Sequence, residues 1–222
     1  MSTHNEKLLE LAMQRAVHGK GGLAASLAET CLAPGAGLKE KELTLAYDIV
    51  QILLGSVDVG IRRHLSEYLA DRNDLPGDLV TALIHDHIAV AYPVLVHNQT
   101  LDDSTLIEVI EKRGKLHRMA VTIRDGLRTA ISCSLFATAD LNVIESLLYN
   151  KTAEIDPDSF NAIVHDFGEL SALHIPLVHR RELSSAQAHH LSDRVSRSLR
   201  RHLATHFTPD MEHTETPEPV NS

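Results

Sequence analysis

The feature that most constrains this chain is a leucine register. Leu75, Leu101 and Leu127 fall 26 residues apart, and the series continues through Ile155 and Leu183 at steps of 28. Periods of 20 to 50 residues belong to stacked supersecondary units, each too small to bury its own apolar face. After the register residues come Asp102, Asp156-Pro157 and Ser184, which are helix N-cap or N-cap-plus-proline signals. Apolar positions at helical spacing follow: Leu106 and Ile110, Ile131 and Leu135, Phe160 and Ile163. The unit is therefore helix, tight turn, helix, with each register residue opening a second helix. YPVLVHNQTL (92–101) echoes IPLVHRREL (175–183), and each copy holds a proline inside the unit's first helix. A proline there costs a backbone bond, and its recurrence suggests a kink that a curved stack accommodates. No stretch alternates with period two between hairpin turn residues, so strands are not expected.

Upstream, Thr3 with Glu6 makes a capping box, and Leu8, Leu11, Ala12 and Ala16 share a face, so a helix should run to about Val17. Gly19-Lys20-Gly21-Gly22 stops it; a phosphate loop would need Ser or Thr directly after the lysine. A short helix over about 23–32 ends at Pro34-Gly35-Ala36-Gly37. A longer one follows, with Leu43, Ala46, Tyr47, Val50, Leu53 and Leu54 on one side and Gly55 as its stop. The expected organisation is N-terminal helices over 1–40, a HEAT-like repeat domain over 41–184, a basic amphipathic helix over 185–207 and an acidic disordered tail over 208–222.

The stretch from Leu43 to Asn150 resembles a bacterial, mostly alphaproteobacterial, family with HEAT-like repeats, catalogued as a domain of unknown function. The resemblance rests on Ile61-Arg62 before Leu65 and Leu69, on Pro93-Val94-Leu95, on the Leu101 opener, on His117-Arg118-Met119-Ala120, and on Asn142-Val143 through Leu148-Tyr149-Asn150. It implies an all-α solenoid of helical hairpins and supplies no reaction, cofactor or catalytic residue. Residues 1–40 and those beyond 185 lie outside it.

Charge narrows the function classes. The 222-residue chain carries a formal charge of -9, which disfavours phosphate backbones and anionic lipid. Trp is absent and aromatic residues make up 4%, leaving few rings to stack on bases, so a repeat-built DNA glycosylase is poorly equipped. Cys31 and Cys133 stand alone, outside any zinc spacing, and Cys133 sits in an apolar helical pattern where burial suppresses the thiolate. No GxSxG elbow is present. No cationic leader precedes an apolar core and no segment is long enough to span a bilayer, so the expected location is cytoplasmic. Asn98-Gln99-Thr100 and Asn150-Lys151-Thr152 match the glycosylation pattern and are read as chance in such a protein.

Two His-Asp pairs, His85-Asp86 and His165-Asp166, raise the alternative of a metal-dependent phosphohydrolase, with His64, His85, Asp86 and Asp140 as its nominal ligands. Both pairs fall at the same place in the repeat, at the end of a helix, where a cation and a cap for the next helix are expected for structural reasons. The preferred expectation is a non-enzymatic protein-binding scaffold without a cofactor or metal, its groove lined by the second helices. Asp78, Glu108, Glu111, Arg128 and His165 are candidates there. Its partner is a protein; nucleic acid is not expected, and self-association is left open. Between Ser185 and Phe207, Leu191, Val195, Leu199, Leu203 and Phe207 form one side, and Arg194, Arg197, Arg200 and Arg201 cluster on the other. That helix is expected to cap the stack, with partner docking by its arginines as the competing role.

Overall fold

The structure, a computed structural model, describes residues 37–207 together with Gly19, Gly22, Ser26, Leu27 and Glu29. The expected helices over 3–17 and 23–32, Cys31 and the acidic tail therefore lie outside the described residues or nearly so. Within 37–207 the chain is all-helical, with twelve helices and no strand. They are α1 (Glu40–Leu54), α2 (Val59–Leu69), α3 (Gly77–Ile84), α4 (Ile88–His97), α5 (Asp103–Lys112), α6 (Lys115–Thr122), α7 (Thr129–Ala137), α8 (Leu141–Tyr149), α9 (Pro157–Phe167), α10 (Ser171–Val178), α11 (Ser185–Ser192) and α12 (Arg197–His206). They fall into two compact units, one ending at Glu154 and the other beginning at Ile155.

The caps form where the residue types place them. Asp102 accepts from the Thr105 N–H at 2.8 Å, Asp156 from Asp158 and Ser159 with Pro157 next in line, and Ser184 with Gln187 closes a capping box. Each satisfies donors that a helix start leaves orphaned. The hairpin phase differs from the expected one. Leu75, Leu101, Leu127, Ile155 and Leu183 each stand two residues before α3, α5, α7, α9 and α11. In the first unit these odd-numbered helices pack on the helices that follow them, so the register opens the first helix of a pair. Pro93 and Pro176 are accordingly each the sixth residue of a second helix, α4 and α10.

Within the first unit α2 packs on α4, α4 on α6 and α6 on α8, while α5 packs on α7. Leu65, Leu69, Leu79, Leu83, Leu95, Ile110, Leu135 and Ile144 are fully buried between them. A polar ladder runs through the same joints. The Asn98 amide donates to the Arg72 carbonyl at 2.8 Å, the Arg124 guanidinium to the Asn98 carbonyl at 2.8 Å, and the Asn150 amide to the Arg124 carbonyl at 2.6 Å. Each donor stands 26 residues after its acceptor. Arg124 also donates to the Leu95 carbonyl, and Asn150 to that of Thr122. Carbonyls at helix C-termini lack intrahelical partners, and a side chain from the next hairpin supplies them.

The ladder gives the two Asn-x-Thr triplets a structural role. Asn98 and Asn150 are the C-caps of α4 and α8, and each side-chain oxygen accepts from the N–H and hydroxyl of the threonine two residues on. One turn, used twice, explains both.

In the second unit, Gly168 ends α9. A Cβ there would collide with the Val164 carbonyl oxygen and press on Leu191, so only glycine fits, and His174 donates from Nε2 to its carbonyl at 3.0 Å. The single helix expected over 185–207 is two. Ser196 is extended and α12 restarts at Arg197, which lets α12 fold back onto both α10 and α11. Leu191, Val195 and Leu203 are buried, while Leu199 and Phe207 are half-buried.

Candidate binding groove

Exposed apolar side chains are distributed unevenly. Apart from two on α1, every large hydrophobic residue left exposed among the described residues belongs to an even-numbered helix or its cap: Val59 on α2, Tyr92 on α4, Leu116 and Ile123 on α6, Leu141 and Tyr149 on α8, Leu170 and Ile175 on α10. Helices α3, α5 and α7 expose none. Scattered apolar exposure is ordinary; in the first unit, α1 apart, it is confined to α2, α4, α6 and α8 or their caps.

Two grooves lie along that row in the first unit. One, of about 550 Å³, runs between α6 and α8 and is lined by Met119, Ile123, Glu145 and Tyr149, with Asp125 at its end. The other, of about 490 Å³, lies between α2 and α4 and is lined by Glu67, Asp71, Pro93 and His97. Four lining positions of each groove correspond at a separation of 52 residues, two periods of the repeat: Glu67 with Met119, Asp71 with Ile123, Pro93 with Glu145 and His97 with Tyr149. The chemistry differs. Arg63 and Glu67 pair at 2.8 Å in the α2–α4 groove, whereas the α6–α8 groove sets Met119, Ile123 and Tyr149 beside Asp125, Glu145 and Lys151.

The site residues expected from sequence lie elsewhere. Asp78, Glu108, Glu111, Arg128 and His165 all stand on odd-numbered helices or their caps. Glu108 is 2.8 Å from Lys112 and 3.7 Å from His85, and Arg128 is 3.1 Å from Asp103. Those charges largely neutralise one another along the odd-numbered row. In the second unit, Arg194 donates to His190 Nε2 at 2.7 Å and is 3.7 Å from Glu169, and Arg200 donates to the Ser192 carbonyl at the end of α11. Arg197 and Arg201 are exposed and make no ion pair among the described residues. Of the four arginines, two serve local structure and two face solvent.

The nominal metal ligands are also dispersed in role. His64 stands between Glu29 and Glu67, His85 faces Glu108, and Asp140 caps α8 and pairs with Lys115 at 3.3 Å. Asp86 does not bond its neighbour His85 but takes the Arg62 guanidinium in a fork at 2.6 and 2.9 Å. Among the described residues no three His, Cys, Asp or Glu side chains gather as a metal would require. His165 and Asp166 bond each other at 2.8 Å on an open surface.

The Arg62–Asp86 fork ties α2 to the α3–α4 turn, where Arg113 and His117 both donate to the Asp86 carbonyl. Burial alone would raise the Asp86 carboxyl, but Arg62 and the His87 N–H outweigh it and hold the carboxyl below the usual range. Burial pushes the His117 imidazole down, so it stays neutral at pH 7 with its proton on Nε2. A depressed carboxyl gives stability that is present above its unfolded pKa and lost as pH falls through the folded one. Arg62→Met should therefore destabilise the protein by about 1.5 to 3 kcal/mol at pH 7, the range for hydrogen bonds to charged groups. The difference from wild type should shrink as pH falls below about 4. Urea melts of both proteins across that range measure it, and a pH-independent difference would remove the carboxylate from the account.

These features define an all-helical protein whose first unit is built of paired helices. A family profile matches residues 90–216, more than half of the chain, and the chain belongs to that family, described as an uncharacterised protein conserved in bacteria (DUF2336). The match begins later than the stretch on which the sequence resemblance rested, and it extends past residue 185 to include α11 and α12. No curated protein and no solved structure matches the chain. No described helix is long and apolar enough to cross a membrane.

Proposed function

We propose that this protein is a non-catalytic interaction scaffold: a HEAT-like solenoid of helical hairpins, acting in the cytoplasm, that binds a protein partner along its even-numbered helices. The observation that carries this is that, apart from Leu45 and Ile52 on α1, the exposed large hydrophobic residues stand on those helices or their caps. The α6–α8 groove is the primary site. Met119, Ile123 and Tyr149 accept apolar side chains of the partner, with Asp125, Glu145 and Lys151 beside them for polar contacts.

Changing Ile123 and Tyr149 together to Ser should leave stability within about 0.5 kcal/mol per site, because both side chains are half exposed. A partner captured by the wild-type protein from the native organism should be lost. Glu108→Gln with Arg128→Gln, on the odd-numbered row, should retain it. The opposite pattern would move the binding surface to the odd-numbered helices. A stoichiometric divalent metal in untagged protein, removed by His85→Ala or His165→Ala, would overturn the non-catalytic reading in favour of the phosphohydrolase.

A further inference from the structure

The second unit holds three histidines in contact. His179, the C-cap of α10, stacks on His202 of α12 with ring centroids 4.7 Å apart and planes at 27°, and His202 meets His206, one turn on, at 4.3 Å. The His179 ring is held in place by donating from Nδ1 to the Ile175 carbonyl at 2.8 Å. The rings of His179 and His202 lie face to face and do not turn their nitrogens to one point, so the trio packs α12 on α10 without the convergence a metal needs.

Helix α12 has little else to hold it. Leu203 is the one buried residue of its ten, whereas α10 buries five of eight. A three-residue joint, 194–196, with Ser196 extended, connects it to the C-cap of α11. Elements with so few buried contacts open locally at low free energy.

The groups whose charge acts on His202 are His206 and His179, themselves cations when protonated. The other charges on the elements packed against α12 are engaged elsewhere or stand apart. In the turn after α10, Glu182 pairs with buried Arg180 at 2.5 Å and lies 3.7 Å from Arg181, and His174 of α10 donates to the Gly168 carbonyl. On the α11 side, Arg194 donates to His190, His189 lines a groove with Arg200, and Asp193 is the helix C-cap. Arg197 and Arg201 are exposed. Burial of the ring first, and then His206 and His179, hold the His202 imidazole below its ordinary value. A histidine depressed in this way gives stability that is present above its unfolded pKa and lost as pH falls through the folded one.

We propose that α12 is a pH-released latch, docked on α10 while the trio of His179, His202 and His206 is neutral and freed to swing about Ser196 when the trio gains charge. Three cations at these ring separations repel one another, and the single buried leucine of α12 is what remains to oppose them.

Hydrogen exchange of the full chain at about pH 7.5 and 5.5, each corrected for the intrinsic rate of the free amide, tests this. Protection of residues 199–207 should fall by about tenfold or more at the lower pH, while that of residues 160–164 in α9 should hold. His202→Phe keeps a ring in the trio but cannot be charged, and it should make the protection of α12 independent of pH. His202→Gln should do the same if the larger ring disturbs the packing. His189→Gln with His190→Gln, outside the trio, should leave the fall intact. Unchanged protection of α12 in the wild type would overturn the proposal, as would a fall that persists in both His202 variants or one that α9 shares. None of these outcomes bears on partner capture through Ile123 and Tyr149.

Discussion

Leu127→Ala should lower the unfolding free energy by about 2 to 5 kcal/mol, the range for truncating a buried leucine. Leu127 is 2% exposed, and its carbonyl accepts the Glu154 N–H at 2.8 Å, so the chain on either side is held and little room exists for collapse around the cavity. Leu101 occupies the same place in the register but is half-buried, and the full cost expected there from sequence does not follow. Leu101→Ala should cost less than about 2 kcal/mol, because fewer contacts vanish and the site can relax into water. Urea denaturation of the two variants side by side measures the difference. A loss under about 0.5 kcal/mol for Leu127→Ala would detach the register from the core.

Arg124→Met should be comparably damaging, by about 2 to 4 kcal/mol, although it replaces a charge with an apolar chain of similar length. The guanidinium is 7% exposed and donates to the Leu95 and Asn98 carbonyls. Methionine fills the space but strands both acceptors away from water. Arg124→Lys should recover little of the loss, since an ammonium lacks the planar fork that reaches two carbonyls at once. Asn150→Ala should cost less because Asn150 is only half-buried, yet its effect should be non-additive with Arg124→Met, as the two residues share a rung. Equal stability of wild type and Arg124→Met in chemical melts would show that solvent reaches those carbonyls.

Part of the candidate site was legible and part was not. His85-Asp86 reads as a dyad in the sequence, yet Asp86 belongs to Arg62, 24 residues earlier, through a contact between α2 and the α3–α4 turn. The expected binding residues are charged and stand at outward helical positions, but outward positions exist on both helices of a hairpin. Glu108 and Arg128 lie on the row where neighbouring charges answer them. Ile123 and Tyr149 carried a usable signal: apolar residues at the last turn of α6 and at the end of α8, 26 residues apart. A helical pattern alone assigns such residues to the core. The C-terminal helix was misjudged for a related reason, since Leu191, Val195, Leu199, Leu203 and Phe207 fit a period of four with no mark of the break at Ser196 except that serine itself.

The sequence by itself determined what depends on neighbours a few residues away. Helical class follows from the apolar spacing, helix starts from Asp102, Asp156 and Ser184, and the hairpin length from the recurrence of the register leucines. These are local energies, paid between i and i+4. The tertiary structure alone decided which helix of each pair presents its apolar residues to solvent, and what Asn98, Arg124 and Asn150 are for. A side chain at one position and the carbonyl 26 residues earlier meet only after two hairpins have packed, so their bond leaves no mark within either helix.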